Sequence, residues 1–187
     1  SGYTVFINSF AVFMTNRAYD QIRMDLCYNN LDVKVICSHA GLSVGEDGAS
    51  AQCLEDLALM RVLPNMKVVC PVDAIEAAKA TKIFAHEPGP MYMRTTRSGV
   101  PVLTKESDSF EIGKANVLQE GKDVTIMACG IMVSEALSAA QQLKAEKIDA
   151  RVINMHTIKP IDEEIIMGSA AHYPIKAGKI IVRRLGL

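Results

Sequence analysis

Residues 33–52 read VKVICSHAGLSVGEDGASAQ, and their order decides the fold. Val33 to Cys37 is a continuous, β-branched run, as a parallel strand buried on both faces requires. A glycine-rich loop follows. Gly41, Gly45 and Gly48 lie among one imidazole, His39, and two carboxylates, Glu46 and Asp47. Ligands of open α/β sheets bind just beyond the carboxyl ends of parallel strands, which is where this loop falls. It is neither GxGxxG nor a phosphate loop with its lysine, so spacing alone leaves a ligand loop and a plain connector equally open.

Outward from this stretch, β-rich and helical runs alternate. Upstream, Thr4 to Ile7 reads as a strand. Phe13 to Tyr28 reads as a helix, with Ala18, Ile22, Met24 and Leu26 near helical spacing. Downstream come a short helix over Leu54 to Arg61 and a strand over Lys67 to Cys70, closed by Pro71. Asp73 is placed to cap the next helix, with Glu76 three residues on as a capping-box variant; that helix runs to about His86. Met91 to Thr95 is a strand after the Gly89-Pro90 turn. From Ser98 to Phe110 the alternation lapses into a polar linker. It resumes with a strand over Asp123 to Cys129, a helix from Gly130 through Glu146, and a strand over Asp149 to Asn154. Pro160-Ile161-Asp162 opens another helix, and Lys179 to Val182 is a last strand candidate. Strands alternating with helices imply right-handed βαβ units in a three-layer α/β architecture. The expected division is a first domain over residues 1–100, a linker over 101–112 and a second, incomplete α/β domain over 113–187.

Composition sets limits on function. The 187 residues are 49% hydrophobic, enough for a substantial core, and the net charge is −1. That charge argues against nucleic-acid binding through phosphate neutralisation. No apolar run approaches the roughly 20 residues that span a bilayer, and no signal peptide is visible. Cys27, Cys37, Cys53, Cys70 and Cys129 form no CxxC motif and read as reduced, buried thiols, which suggests a cytoplasmic protein. His86 at a helix end and His156 in a strand-to-helix turn lack a second ligand at metal spacing, so no protein-built metal site is expected.

The stretch from Ser38 to Gln52 resembles the pyrimidine-domain loop of the thiamine diphosphate-dependent transketolase family, where a His, a glycine-rich turn and Gly-Glu-Asp-Gly recur at this spacing. Other segments agree in order. Ser9 to Phe13 resembles the segment that supplies aromatics to the cofactor's pyrimidine ring, and Arg17 to Arg23 the helix after it. Ala58 to Met66, Pro71 to Asp73 and Gly89 to Arg97 resemble the next helix and strands. Ala150 to Asp162 is similar to the start of the family's C-terminal domain. The resemblance covers roughly residues 3–166 and is nearest to the C-terminal subunit of split, two-chain transketolases. It implies a three-layer, parallel-sheet pyrimidine-type domain followed by part of a C-terminal domain.

Residue roles follow from the resemblance one at a time. Phe10 and Phe13 match the aromatic pair around the aminopyrimidine, and Asn16 stands where many members carry a third aromatic. His39 matches a histidine that binds the sugar phosphate or its hydroxyls. Asp47 matches the carboxylate that holds the hydroxyl beside the reacting carbonyl, and Arg97 the arginine that clamps the terminal phosphate. Glu46 reads as a neighbouring structural or solvated carboxylate. Arg94, three residues before Arg97, faces the other side of its strand and reads as a structural salt-bridge member. Ala51 replaces a second family histidine. The catalytic glutamate of the family is expected upstream of Ser1, and the diphosphate and its Mg2+ or Ca2+ are expected on a domain outside this chain.

The implied function is that of a fragment or subunit of a transketolase, moving a two-carbon ketol unit between sugar phosphates and inactive as this chain alone. A deoxyxylulose phosphate synthase-like enzyme is the second reading, although that enzyme carries Asp-Arg where Ser38-His39 stands here. A non-catalytic domain that kept the fold is the third. The expected partner is an N-terminal diphosphate-binding domain or subunit, in a homodimer or heterotetramer, with neither nucleic acid nor membrane involved.

Overall fold

The computed structural model describes residues 2–172; the strand candidate over Lys179 to Val182 lies outside them. Two sheets organise the chain. The larger has five strands in the order β1-β2-β4-β3-β8. β1 (Val5–Phe10), β2 (Val33–Ser38), β4 (Met91–Arg94) and β3 (Lys67–Val69) run parallel, and β8 (Thr157–Lys159) pairs antiparallel with β3. The smaller sheet has the order β5-β7-β6. β6 (Val124–Ala128) runs parallel to β7 (Ala150–Asn154), and β5 (Asn116–Gln119) antiparallel. The expected α/β class therefore holds, with a mainly parallel sheet first and a smaller mixed sheet after it.

The β2 run is apolar because both of its faces are covered. Val35 and Cys37 point into a cluster with Tyr92, Met60, Leu63 and Ile22. Ile36 points the other way, against Val69, Phe84 and Met93. Burying one such side chain contributes roughly 1.5–3 kcal/mol. α2 (Asp56–Val62) supplies Met60 to the first cluster, and α3 (Ala74–Phe84) supplies Ala80 and Phe84 to the second. Asp73 caps α3, accepting from the Glu76 amide at 2.9 Å. In the smaller sheet, α4 (Met132–Ala145) packs Ala136 and Ala140 against Ala150 and Val152.

Lys34 shares the strand with those apolar residues and is fully buried. Its ammonium donates to Asp32 Oδ1 at 2.5 Å and to the carbonyls of Glu87 at 2.5 Å and Gly89 at 2.8 Å. These bonds tie the start of β2 to the turn before β4. Lys34→Met keeps the stem and strands two carbonyls, so unfolding stability should fall by about 1–3 kcal/mol. Urea denaturation measures this; an unchanged midpoint would show that water reaches those carbonyls.

Three local expectations need correction. The helix over Phe13 to Tyr28 is broken into wide π-type turns, Phe13–Arg17 and Ile22–Tyr28, around one α turn, α1 (Tyr19–Gln21). The Thr15 hydroxyl donates to the Ala11 carbonyl at 2.8 Å, and the Asn29 amide takes the Met24 and Asp25 carbonyls, so side chains compete for the helical ladder. β5 and β8 are short strands that the alternation did not reveal. His156 is not in a strand-to-helix turn. It lies between β7 and β8, fully buried, and stacks on Phe110 at 4.2 Å between ring centroids.

The segment read as a linker is irregular but anchored. Asp73 Oδ2 accepts from the amides of Leu103 at 2.8 Å and Thr104 at 2.7 Å. Lys79 donates to the carbonyls of Lys105 and Asp108. The two sheets meet through β8, through the Cys70 amide donating to the His156 carbonyl at 2.7 Å, and through Asn154 Nδ2 donating to Glu76 Oε1 at 2.7 Å. α5 (Glu163–His172) follows, where Pro160 to Asp162 foretold a helix. No helix among the described residues is long and apolar enough to cross a membrane.

Candidate functional site

The parallel register assembles the site. Phe10, the last residue of β1, pairs with Ser38, the last of β2. His39 follows at φ 60°, a left-handed turn that folds its ring back over the strand end. The His39 and Phe10 rings lie parallel, 3.7 Å apart at 10°. Phe13 stacks on Phe10 at 5.4 Å and 8°, and the Arg17 guanidinium sits 4.4 Å over the Phe13 ring. The row is therefore His39, Phe10, Phe13, Arg17. The three ring residues are half-buried. His39 Nδ1 and the Ser38 hydroxyl are 2.8 Å apart, which holds the imidazole in place. The wide turn at Phe13–Arg17 is what brings Phe13 and Arg17 onto the row.

The glycine-rich loop forms a second group. Leu42–Asp47 makes tight 3-10 turns kinked at Gly45, whose φ of 68° and ψ of −111° suit glycine alone. Arg97 staples the loop. Its Nη1 donates to the Val44 carbonyl at 2.7 Å, and its Nη2 lies 4.0 Å from Glu46 Oε2. Asp47 is exposed on the same loop, and Ala51 is buried behind it. Asn16 is exposed and donates to Glu55 Oε1 at 2.5 Å. The structure thus brings Phe10, Phe13 and His39 into one row, places Asp47 on the glycine-rich loop, and sets Arg97, three residues beyond β4, against that loop.

Beneath the loop lies a buried charge cluster. Asp56 is fully buried and accepts from the Tyr92 hydroxyl at 2.7 Å. Arg94 Nε pairs with the same oxygen at 3.3 Å, the salt bridge expected of Arg94. Burial raises the Asp56 carboxyl above its ordinary range despite the neighbouring Arg94. Arg94 then reaches a cavity of about 550 Å³ between the strand ends of the two sheets, lined also by Gly41, Thr95, Cys70, Cys129 and Met132. None of Phe10, Phe13, His39, Asp47 and Arg97 lines it. Sequence reading missed Arg17 as a member of the row and the meeting of Cys70 with Cys129; neither carries a spacing signal.

A flat heteroaromatic ring suits this row, because aromatic edges and faces attract in offset and edge-to-face arrangements. Among the described residues no group of three or more His, Cys, Asp or Glu side chains could hold a metal ion. The residues present therefore fit a flat heteroaromatic ring.

Comparison with known proteins shows the family. The family described as "Transketolase, pyrimidine binding domain" matches residues 1–102, and "Transketolase, C-terminal domain" matches residues 113–175. A putative transketolase C-terminal section from Methanocaldococcus jannaschii is 44% identical over 171 residues, covering 90% of this chain and 54% of that protein. A 6-deoxy-6-sulfo-D-fructose transketolase subunit from a Clostridium species is 40% identical, covering 96% of this chain and 55% of that protein. Human transketolase is 40% identical over 88% of this chain and 26% of its own length. The solved structure of a split gene transketolase, described as an inactive beta4 tetramer, superposes with a TM-score of 0.84 at 48% identity, covering 91% of this chain and 55% of that one. The Pichia stipitis transketolase complex with sedoheptulose-7-phosphate gives 0.78 at 26% identity, covering 89% and 25%. The chain spans about half the length of the archaeal and Clostridium relatives.

Proposed function

This chain belongs to the transketolase family, and we propose that it acts there as the pyrimidine-site section of a two-part transketolase. The observation that carries this reading is the parallel row of His39, Phe10 and Phe13 at the carboxyl ends of β1 and β2. When bound, thiamine diphosphate supplies the nucleophilic carbon on which a two-carbon ketol unit is carried. Phe10 and Phe13 hold its pyrimidine end and keep water from it. His39 and Asp47 hydrogen-bond the sugar hydroxyls, so a substrate lacking them leaves polar groups unpaired and is rejected. Arg97 offers a planar fork for a terminal phosphate, and its bond to Val44 holds that fork in position. The metal-diphosphate site comes from an N-terminal section, and the acid that activates the cofactor from the segment of the pyrimidine domain expected upstream of Ser1.

Exposed apolar side chains support a partner. β1 is an edge strand, and Tyr3, Val5, Phe6 and Leu31 beside it are exposed by 41% or more. Exposed apolar side chains along an edge strand favour association. In this reading the division into 1–100, 101–112 and 113–187 separates the partner-facing domain from the C-terminal one, and the five free thiols suit a cytosolic setting.

The test mixes this chain with an N-terminal transketolase section, thiamine diphosphate and Mg2+. Sedimentation follows assembly, and a coupled assay follows ketol transfer from a ketose phosphate to an aldose phosphate. The chain alone should self-associate without turnover, the mixture should bind cofactor, and the mixture should turn over once the C-terminal section is extended upstream of Ser1 to carry the glutamate. An extended complex that binds cofactor yet transfers no ketol unit would leave a non-catalytic domain. Turnover with pyruvate as the donor would favour the synthase instead.

A further inference from the structure

Cys70 and Cys129 follow the ends of β3 and β6, strands of different sheets, and both line the 550 Å³ cavity. Cys70 is buried and Cys129 is half-exposed. A Cβ added at Gly130 would lie 2.7 Å from Cys70 Sγ, so this sulfur sits against the residue that follows Cys129. The two thiols are close enough for each to influence the other's ionisation. Arg94 shares the cavity and places its positive charge near both. A solvent-reachable thiol beside a cation, backed by a second thiol, is the arrangement of a peroxide-sensitive pair.

We propose that Cys129 and Cys70 form a redox pair, in which hydrogen peroxide closes a disulfide that bolts the first sheet to the second. The Cys129 thiolate attacks one peroxide oxygen. The O–O bond breaks, hydroxide leaves and is protonated to water, and a sulfenic acid remains on Cys129. The Cys70 sulfur then attacks the Cys129 sulfur. The S–O bond breaks, the hydroxyl leaves as water with the Cys70 proton, and the disulfide forms. Two thiols and one peroxide give one disulfide and two waters. Cys129 is the less buried of the two and Arg94 favours its thiolate, so Cys129 is the attacking member. Cys70 is the more buried of the two and is the resolving member. The pair stands apart from the ring row, so the proposal does not depend on ketol transfer.

The experiment treats the full chain with hydrogen peroxide after removal of reductant. Total thiols are counted in denaturant, and tryptic peptides are mapped without reduction. The count should fall from five to three and return to five with dithiothreitol. The map should join the peptide over residues 68–79 to that over 123–144, each holding one cysteine, with a mass lower by two hydrogens. Cys129→Ser should lose no thiol. Cys70→Ser should stop at a sulfenic acid on Cys129, trapped by dimedone. An unchanged count of five, a link between any other pair, or over-oxidation of Cys129 without a link would overturn the proposal. The map of the unsubstituted chain decides this even where a variant fails to fold.

Discussion

Phe10→Ala should weaken thiamine diphosphate binding by the assembled two-section protein about 100-fold, on the order of 3 kcal/mol. Phe10 is the middle ring of its row, with His39 on one face at 3.7 Å and Phe13 on the other at 5.4 Å. Removing it withdraws a ring and releases both neighbours at once. Aromatic pairing contributes about 0.5–1.5 kcal/mol beyond area burial, and truncating a central aromatic anchor commonly costs about 2 kcal/mol or more. Phe13→Ala should cost less, because Phe13 is a terminal ring and Arg17 covers its outer face. Phe10→Tyr should bind nearly as the parent does, since the ring and its stack survive. Calorimetry with thiamine diphosphate and Mg2+ measures all three, with sedimentation confirming that each variant still joins the N-terminal section. Binding by Phe10→Ala within about threefold of the parent, under 1 kcal/mol, would remove this row from the cofactor site.

The row could not be read from spacing. Phe10 and His39 are neighbours only because β1 and β2 pair in parallel with Phe10 opposite Ser38. A slip of one residue would turn Phe10 to the opposite face of the sheet. β2 was legible, because burial on both faces demands an unbroken apolar run, and the Asp73 cap was legible, because capping is local chemistry. β8 was not. Its three residues join the first sheet by pairing Lys159 with Val68, far back in the chain, and no local periodicity records such a pairing. The broken helix after β1 was hidden for a related reason. Its apolar spacing is helical, while the Thr15 and Asn29 side chains redirect the carbonyls. No spacing marks Lys34 within the β2 run, and only the fold shows the carbonyls of Glu87 and Gly89 that receive its ammonium.

Glu76→Gln should stabilise the chain by about 2–3 kcal/mol at pH 8 and by little at pH 4.5. Glu76 is 1% exposed, and burial is the main cause that lifts its carboxyl from 4.5 to about 7, against the hydrogen bond from the Val72 amide. Between these values the folded chain keeps a proton that the unfolded chain releases. Stability is therefore fully present below about pH 4.5 and falls as pH rises to about 7, by about 3 kcal/mol in all. The carboxyl accepts from Val72 on one oxygen and from Asn154 Nδ2 on the other, while Asn154 Oδ1 is buried without a partner. Turning the Asn154 amide over lets Oδ1 accept from a protonated carboxyl, or equally from the amide of the variant, so the substitution is accommodated at the seam. His156 has the opposite sign. Burial lowers its imidazole from 6.5 to about 4, so the fold holds it neutral where the unfolded chain is charged. That contribution is present above about pH 6.5 and is lost on acidification through pH 4, again by about 3 kcal/mol. Over the shared range, about pH 4.5 to 6.5, the two slopes cancel, and these groups leave the parent chain nearly level. Removing Glu76's proton unmasks His156, so the variant should gain stability steadily from pH 4 to about 6.5. Urea unfolding at pH 4.5, 5.5, 6.5 and 8 reads both effects. Parallel curves for parent and variant would mean that Glu76 ionises in the fold without cost, and that the polar bridge between the two sheets is wet.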